Sequence, residues 1–122
     1  MNTFMLDETK DIYWLAGLLE GEGFFLLSKS NSPIVGLRMT DLDIVERAKS
    51  ITKATNLTYV RKGAFKTHKT LYEFRIFGNK ALELMNILLP LMGERRQIKI
   101  KEILEVCKNR PFTKNKLKIV SN

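Results

Sequence analysis

Two glutamates, Glu20 and Glu22, close the stretch Leu15-Ala16-Gly17-Leu18-Leu19-Glu20-Gly21-Glu22-Gly23, directly behind a dense apolar run from Ile12 to Leu19. Carboxylates are costly there for two reasons. A helix carrying the apolar run ends in the partial negative charge of its free carbonyls, where Lys or Arg is normally preferred. A helix apolar around most of its girth is also expected to be buried, and an unpaired buried charge is expensive. Local rules broken together at one point mark functional sites, and a divalent cation is the economical partner for carboxylates beside helix-end carbonyls. The lone Cys107 and lone His68 provide no cluster with zinc-site spacing, so any metal must sit on oxygens. The chemistry this predicts is metal-assisted phosphodiester hydrolysis, in which the ion activates a water and neutralises charge developing at the scissile phosphate. A basic side chain would stabilise the pentavalent phosphate, and Arg95 and Arg96 are the candidates.

The glycines of the same stretch suggest how such a site is doubled. Gly17 inside a helix costs about 1 kcal/mol relative to Ala, and Gly21 lies four residues on, on the same face. A face of small residues lets two helices touch, and Tyr13, Trp14 and Leu18 would extend that contact. Pairing of this helix with its symmetry mate would bring the two copies of Glu22 close to the two-fold axis, so that two metal sites face one duplex.

The elements that must position these groups follow from periodicity and punctuation. Residues 8–20 read as a helix, the motif helix extending to 22, with Asp7, Glu8 and Asp11 at its N-terminal end and Gly21 and Gly23 as its stop. Residues 24–30 and 34–40 read as a hairpin around Asn31, Ser32 and Pro33. A helix over roughly 42–54 follows, capped by Thr40 or Asp41. A second hairpin pairs 57–62 with 70–77 across a basic loop holding Lys66, His68 and Lys69. Helices over 80–89 and 94–108 are closed by Pro90 and Pro111. The order αββαββαα predicts an α+β domain, with one four-stranded antiparallel sheet carrying its helices on one face. The open face would bear Ser28, Ser30, Arg38, Arg61, Lys62 and Arg75, with Asn31, Lys66 and Lys69 on turns, a surface suited to a DNA groove.

Charge points the same way. The 122 residues hold 21 Lys and Arg against 13 Asp and Glu, a net charge of +8. The excess is concentrated: residues 7–22 sum to −4, whereas 56–77 reach +4 and 94–118 reach +6. Stripes of this kind select a polyanion, with double-stranded DNA ahead of a membrane because no basic helix carries a strong exposed apolar face. The basic segment from about 111, with Lys114, Lys116 and Lys118, is a solvated tail or a further phosphate contact. The length predicts one domain over 1–122, too short for a barrel enzyme with a deep pocket. No membrane-length apolar run and no signal peptide are read, so an intracellular protein is expected, in the cytoplasm or in an organelle matrix if organelle-encoded.

LAGLLEGEG, Leu15 to Gly23, resembles the LAGLIDADG motif of homing endonucleases, and the flanking Tyr13 and Trp14 and the order of elements agree with it. The resemblance covers essentially the whole chain. It implies the αββαββα fold with a saddle-shaped sheet, plus a C-terminal helix. A single motif implies a homodimer that cuts both strands of a long, near-palindromic DNA site in intron or mobile-element homing. Mg²⁺ is the implied cofactor, with Mn²⁺ or Ca²⁺ as substitutes. Carried over residue by residue, Glu22 is the catalytic metal ligand, Gly21 adds its backbone carbonyl, and Glu20 supports the paired helix ends. Asp41 falls where the family often places a polar residue that positions water, in competition with a helix-capping role. The family's basic residue after the Pro-containing turn is often Lys; Pro90 to Gln97 contains only Arg95 and Arg96, and the spacing leaves the choice open. Both motif acids are Glu where the namesake has Asp. The alternative on the same scaffold is a non-cleaving DNA-binding regulator or an intron-RNA maturase, against which the retention of Glu20 and Glu22 argues.

Overall fold

The computed structural model describes residues 3–60 and 70–108. The first helix, α1 (Thr3–Glu22), leads into strands β1 (Gly23–Leu27) and β2 (Pro33–Met39), helix α2 (Leu42–Thr52), and strands β3 (Thr58–Val60) and β4 (Leu71–Phe77). Helix α3 (Gly78–Leu88), a 3-10 turn at Leu89–Leu91 and helix α4 (Glu94–Lys108) complete the described chain. The strands lie in the order β1-β2-β4-β3, antiparallel throughout, with β3 a three-residue edge on β4.

Register divides the sheet into two faces. Phe25, Val35, Leu37, Phe74 and Ile76 project to one side and join Leu15, Ala16, Leu19, Val45, Ala48, Met85, Leu88, Ile100 and Ile103 in a single buried cluster fed by all four helices. Alternation along each strand sends Phe24, Leu26, Ile34, Gly36, Arg38, Glu73, Arg75 and Phe77 to the other side. No described helix packs there, and no described helix is long and apolar enough to cross a membrane.

Several expectations are corrected. The first helix begins at Thr3 rather than at residue 8, and it runs to Glu22, the end expected for the motif helix, where the chain turns directly into β1. Gly23 is required at that turn: a Cβ there would lie 2.6 Å from Leu19 Cδ2 and 3.0 Å from the Leu19 Cα, backbone that cannot yield. The first hairpin is shorter than expected, and Ser28 and Ser30 lie in its turn rather than on strands. Ser28 builds that turn, its N–H donating to Ser32 O (2.9 Å) and its Oγ accepting from Ser32 N–H (3.1 Å), while Asn31 takes a positive φ of 61°. Its hydroxyl also meets that of Ser30 at 3.0 Å.

Further down the chain, helix α2 ends two residues early because Lys53 adopts a left-handed conformation (φ 60°) and its N–H returns to Ser50 O. Gly78 (φ 66°) lets β4 pass straight into α3, two residues before the expected start. Helix α4 has the expected bounds. Arg61, Lys62, Lys66, Lys69 and the basic segment from about 111 lie outside the described residues.

Candidate functional site

The end of α1 sends its two acids to different fates. Glu20 Oε1 accepts the N–H of Gly93 at 2.8 Å, and its backbone carbonyl accepts Arg96 Nε at 3.2 Å. Gly93 in turn accepts the first bond of α4 from Gln97 N–H at 2.9 Å, which makes Gly93 the N-cap of that helix. In a capping box a Glu three residues into the helix would bond the N-cap N–H; here that position is Arg96, and Glu20 supplies the carboxylate from another helix. There is little room to spare, since a Cβ on Gly93 would meet Glu20 Oε2 at 3.1 Å. The Arg96 guanidinium also lies 5.8 Å from the Phe25 ring centre, filling the seam between α1, β1 and α4.

Glu22, by contrast, is exposed and has no side-chain partner among the described residues. β1 begins opposite Leu37, so the α1–β1 junction lies at the same end of the sheet as Arg38, Met39 and the following Asp41. Asp41 is the N-cap of α2 through its backbone carbonyl, which accepts from Ile44 and Val45 N–H at 3.1 Å. Its exposed side chain makes no capping bond, which disposes of the competing role for that carboxylate. Arg95 is exposed without a partner among the described residues, whereas Arg96 is half-buried and engaged.

Among the described residues no three of His, Cys, Asp and Glu converge on one point. The oxygen donors at this end of the sheet include the Glu22 carboxylate, the exposed Asp41 carboxylate and last-turn carbonyls of α1 such as that of Gly21. Such a set does not make a protein cage, but it fits Mg²⁺, which keeps several waters and is bound through one or two carboxylates together with substrate phosphates.

On α1 the residues expected at a dimer contact divide. Gly17 and Gly21 are exposed, with nothing within 4 Å of a Cβ built on either, and Tyr13 is 61% exposed on the same face. Ile87 and Leu91 expose apolar surface beside them, lining a groove with Thr9, Ile12, Tyr13 and Pro90. Trp14 and Leu18 instead turn into the chain's own core, Trp14 stacking under the Arg47 guanidinium of α2 at 4.0 Å. One residue along a helix is a rotation of about 100°, enough to move them off the glycine face.

The open sheet face holds Arg38 and Arg75, as expected, and a residue that sequence reasoning passed over. Glu73 is 6% exposed between them. Burial alone pushes its carboxyl up. The hydrogen bonds from Arg75 and Arg38, with both their charges, outweigh burial and hold it below the ordinary glutamate value. Asn56 was also passed over: its carboxamide pairs with both the N–H and the carbonyl of Arg75, at 3.0 and 2.9 Å, extending the edge just before β3 begins. The remainder of this face is less polar than alternation suggested, for Ile34 is 4% exposed there and Phe24 lies across Gly36.

Among solved structures, the chain is similar to an archaeal intron-encoded homing endonuclease, I-Vdi141I, complexed with DNA, at a TM-score of 0.58 and 18% identity over 82% of this chain and 67% of that one. The chain has the fold of a homing endonuclease. No protein-family model matches it, and no curated protein does. The likeness therefore lies in how helices and strands are arranged, and within that arrangement the nine residues from Leu15 to Gly23 occupy the helix end that meets the sheet.

Proposed function

We propose that this protein is a site-specific, divalent-metal-dependent DNA endonuclease of the LAGLIDADG type, acting as a homodimer on a long, near-palindromic DNA site and cutting each strand once. The observation that carries the reading is Glu22: an exposed carboxylate with no side-chain partner among the described residues, at the negative end of a helix, beside the arginine-bearing end of an open sheet. Nothing in the fold's own stability calls for an acid there. The similar solved structure is complexed with DNA, which supports DNA as the partner; the arginines of the open face make that face the side we assign to it. The exposed glycine face of α1, flanked by Tyr13, Ile87 and Leu91, supports pairing of two copies along that helix.

In this reading Glu22 and the Gly21 carbonyl hold Mg²⁺, which when bound supplies an activated water and charge neutralisation at the phosphate. Asp41, its carboxylate not used in capping, orients water from the neighbouring end of β2. Arg95, exposed and uncommitted, serves the developing phosphate charge, while Arg96 docks α4 on α1.

The test is cleavage of a randomised duplex library in Mg²⁺ with sequencing of the cut ends, beside Glu22→Gln and EDTA controls. A near-palindromic sequence cut on both strands by wild type alone, and only with metal, is the expected result. Cutting by Glu22→Gln at the wild-type rate overturns the assignment of Glu22, and binding without cutting overturns the enzyme.

A further inference from the structure

On the open sheet face one carboxylate holds two guanidinium groups. Glu73 Oε1 accepts Arg38 Nε at 2.6 Å and Oε2 accepts Arg75 Nε at 2.5 Å. The Glu73 side chain is 9% exposed, while those of Arg38 and Arg75 are 46% and 36% exposed. Each arginine is thus bound through its inner nitrogen, which leaves the outer Nη groups as its remaining donors on a partly exposed side chain. Arg75 is restrained further: its guanidinium lies 5.2 Å from the Phe24 ring centre, and its backbone N–H and carbonyl are both held by Asn56. The Phe24 ring reaches this place because its cross-strand partner is Gly36, where any Cβ would run into the ring. A surface arginine normally loses rotamer freedom when it binds; these two have lost much of it already.

We propose that Glu73 is a positioning residue for DNA specificity, presenting Arg38 and Arg75 as a fixed pair that reads two guanines in the major groove of each half-site. The proposal rests on the reading of the protein as a sequence-specific DNA-binding enzyme. Guanine is the base that offers two acceptors, O6 and N7, to such a fork, whereas adenine turns a donor toward it at N6. Arg38 faces Glu73 across β2 and β4, and Arg75 lies two residues further along β4. Diagonal neighbours of this kind are separated by about 7 Å, close to two base steps of about 3.4 Å each. Arg38 stands nearer the Glu22 end of the sheet, so its guanine lies nearer the centre of the site, and that of Arg75 about two positions outward. The carboxylate between them cancels one of two positive charges, so the pair contributes more to base choice than to phosphate attraction.

The test is selection of randomised duplexes by binding in EDTA, with the full chain as wild type, Glu73→Gln, Arg38→Lys and Arg75→Lys. Wild type is expected to enrich two guanines, about two positions apart, in each half-site. Arg38→Lys should lower the preference at the inner guanine and Arg75→Lys that at the outer one, each about tenfold. Glu73→Gln should lower both. The two lysine variants keep Glu73 and every formal charge, so a merely structural or electrostatic pair would leave their base preferences unmoved, and that result overturns the proposal even if Glu73→Gln melts early. Retention of both preferences by a folded Glu73→Gln, or an enriched site lacking the guanine pair, overturns the clamp while leaving DNA recognition standing. Failure of wild type to enrich any sequence overturns the DNA reading as well.

Discussion

Glu20 and Glu22 differ in ways that a pair of melting curves can expose. Glu20→Ala removes the acceptor of the Gly93 N–H and leaves the N-cap amide of α4 to solvent. A carboxylate bound to a backbone amide contributes about 1.5–3 kcal/mol when shielded from water. This bond is solvent-accessible, so the loss falls toward the value for an ordinary N-cap, about 1 kcal/mol. For a domain of this size that is a fall in Tm of roughly 3–6 °C. Glu22→Gln acts in the opposite direction. The side chain is exposed at the last residue of α1, whose final turn carries no basic residue, and removing its charge relieves repulsion with the helix dipole by a few tenths of a kcal/mol.

Circular dichroism melts in EDTA, all at one protein concentration because association makes Tm concentration-dependent, should therefore place Glu20→Ala below wild type and Glu22→Gln level with it or slightly above. The variant that keeps or gains stability is the one expected to lose cleavage, as befits a group retained for function at some cost to the fold. A melt of Glu22→Gln several degrees below wild type would show that Glu22 is a structural acid. An unchanged Tm for Glu20→Ala would refute the cross-helix cap.

Gly17→Leu places a bulky side chain where nothing lies within 4 Å, so the chain should fold and gain helix propensity of about 1 kcal/mol. Pairing through that face should fail, read as a fall from two chains to one in sedimentation equilibrium; an unchanged mass would remove Gly17 from the interface. Acid should weaken the fold in part through Glu73. Its folded-state pKa is lowered below the ordinary 4.5, so its contribution is complete above that value and is lost as pH falls through the lower folded value. Wild type should then lose more Tm than Glu73→Gln as pH falls below 4.5, and parallel curves would contradict the lowered pKa.

The motif end and α4 were legible because their signals are local. Acids behind an apolar run, glycines four apart and the punctuation by Pro90 each speak without reference to distant residues. Misreadings arose where a local signal met a competing contact. Gly21 and Gly23 both read as a helix stop, but only Gly23 lies past the helix end, where the approach of Leu19 leaves no room for a side chain. Ser28 and Ser30 alternate as strand residues, yet Ser28 caps Ser32 more readily than it extends β1. Glu73 was invisible for another reason: its partner Arg38 is 35 residues away, and only the β2–β4 register puts them face to face. An acid placed between Leu71 and Arg75 on the polar side of a strand expected to face a polyanion was the available signal. The same register explains Gly36, whose bareness matters only because Phe24 is opposite.

The spacing of the two acids now has a geometric reason. Residues two apart on a helix are separated by about 200° around its axis, so they point to nearly opposite sides. Glu20 and Glu22 therefore serve different neighbours from one helix end: the first reaches the start of α4, and the second is left in the open at the arginine-bearing end of the sheet. Spacing of three or four would set both acids on one side and send both toward α4. The glycines fit the same geometry, since Gly21 between the acids keeps the exposed face of α1 bare while Gly23 turns the chain tightly over Leu19. The fold thereby fixes the position of Glu22 through Glu20 without using Glu22 itself, which leaves the second acid available for chemistry.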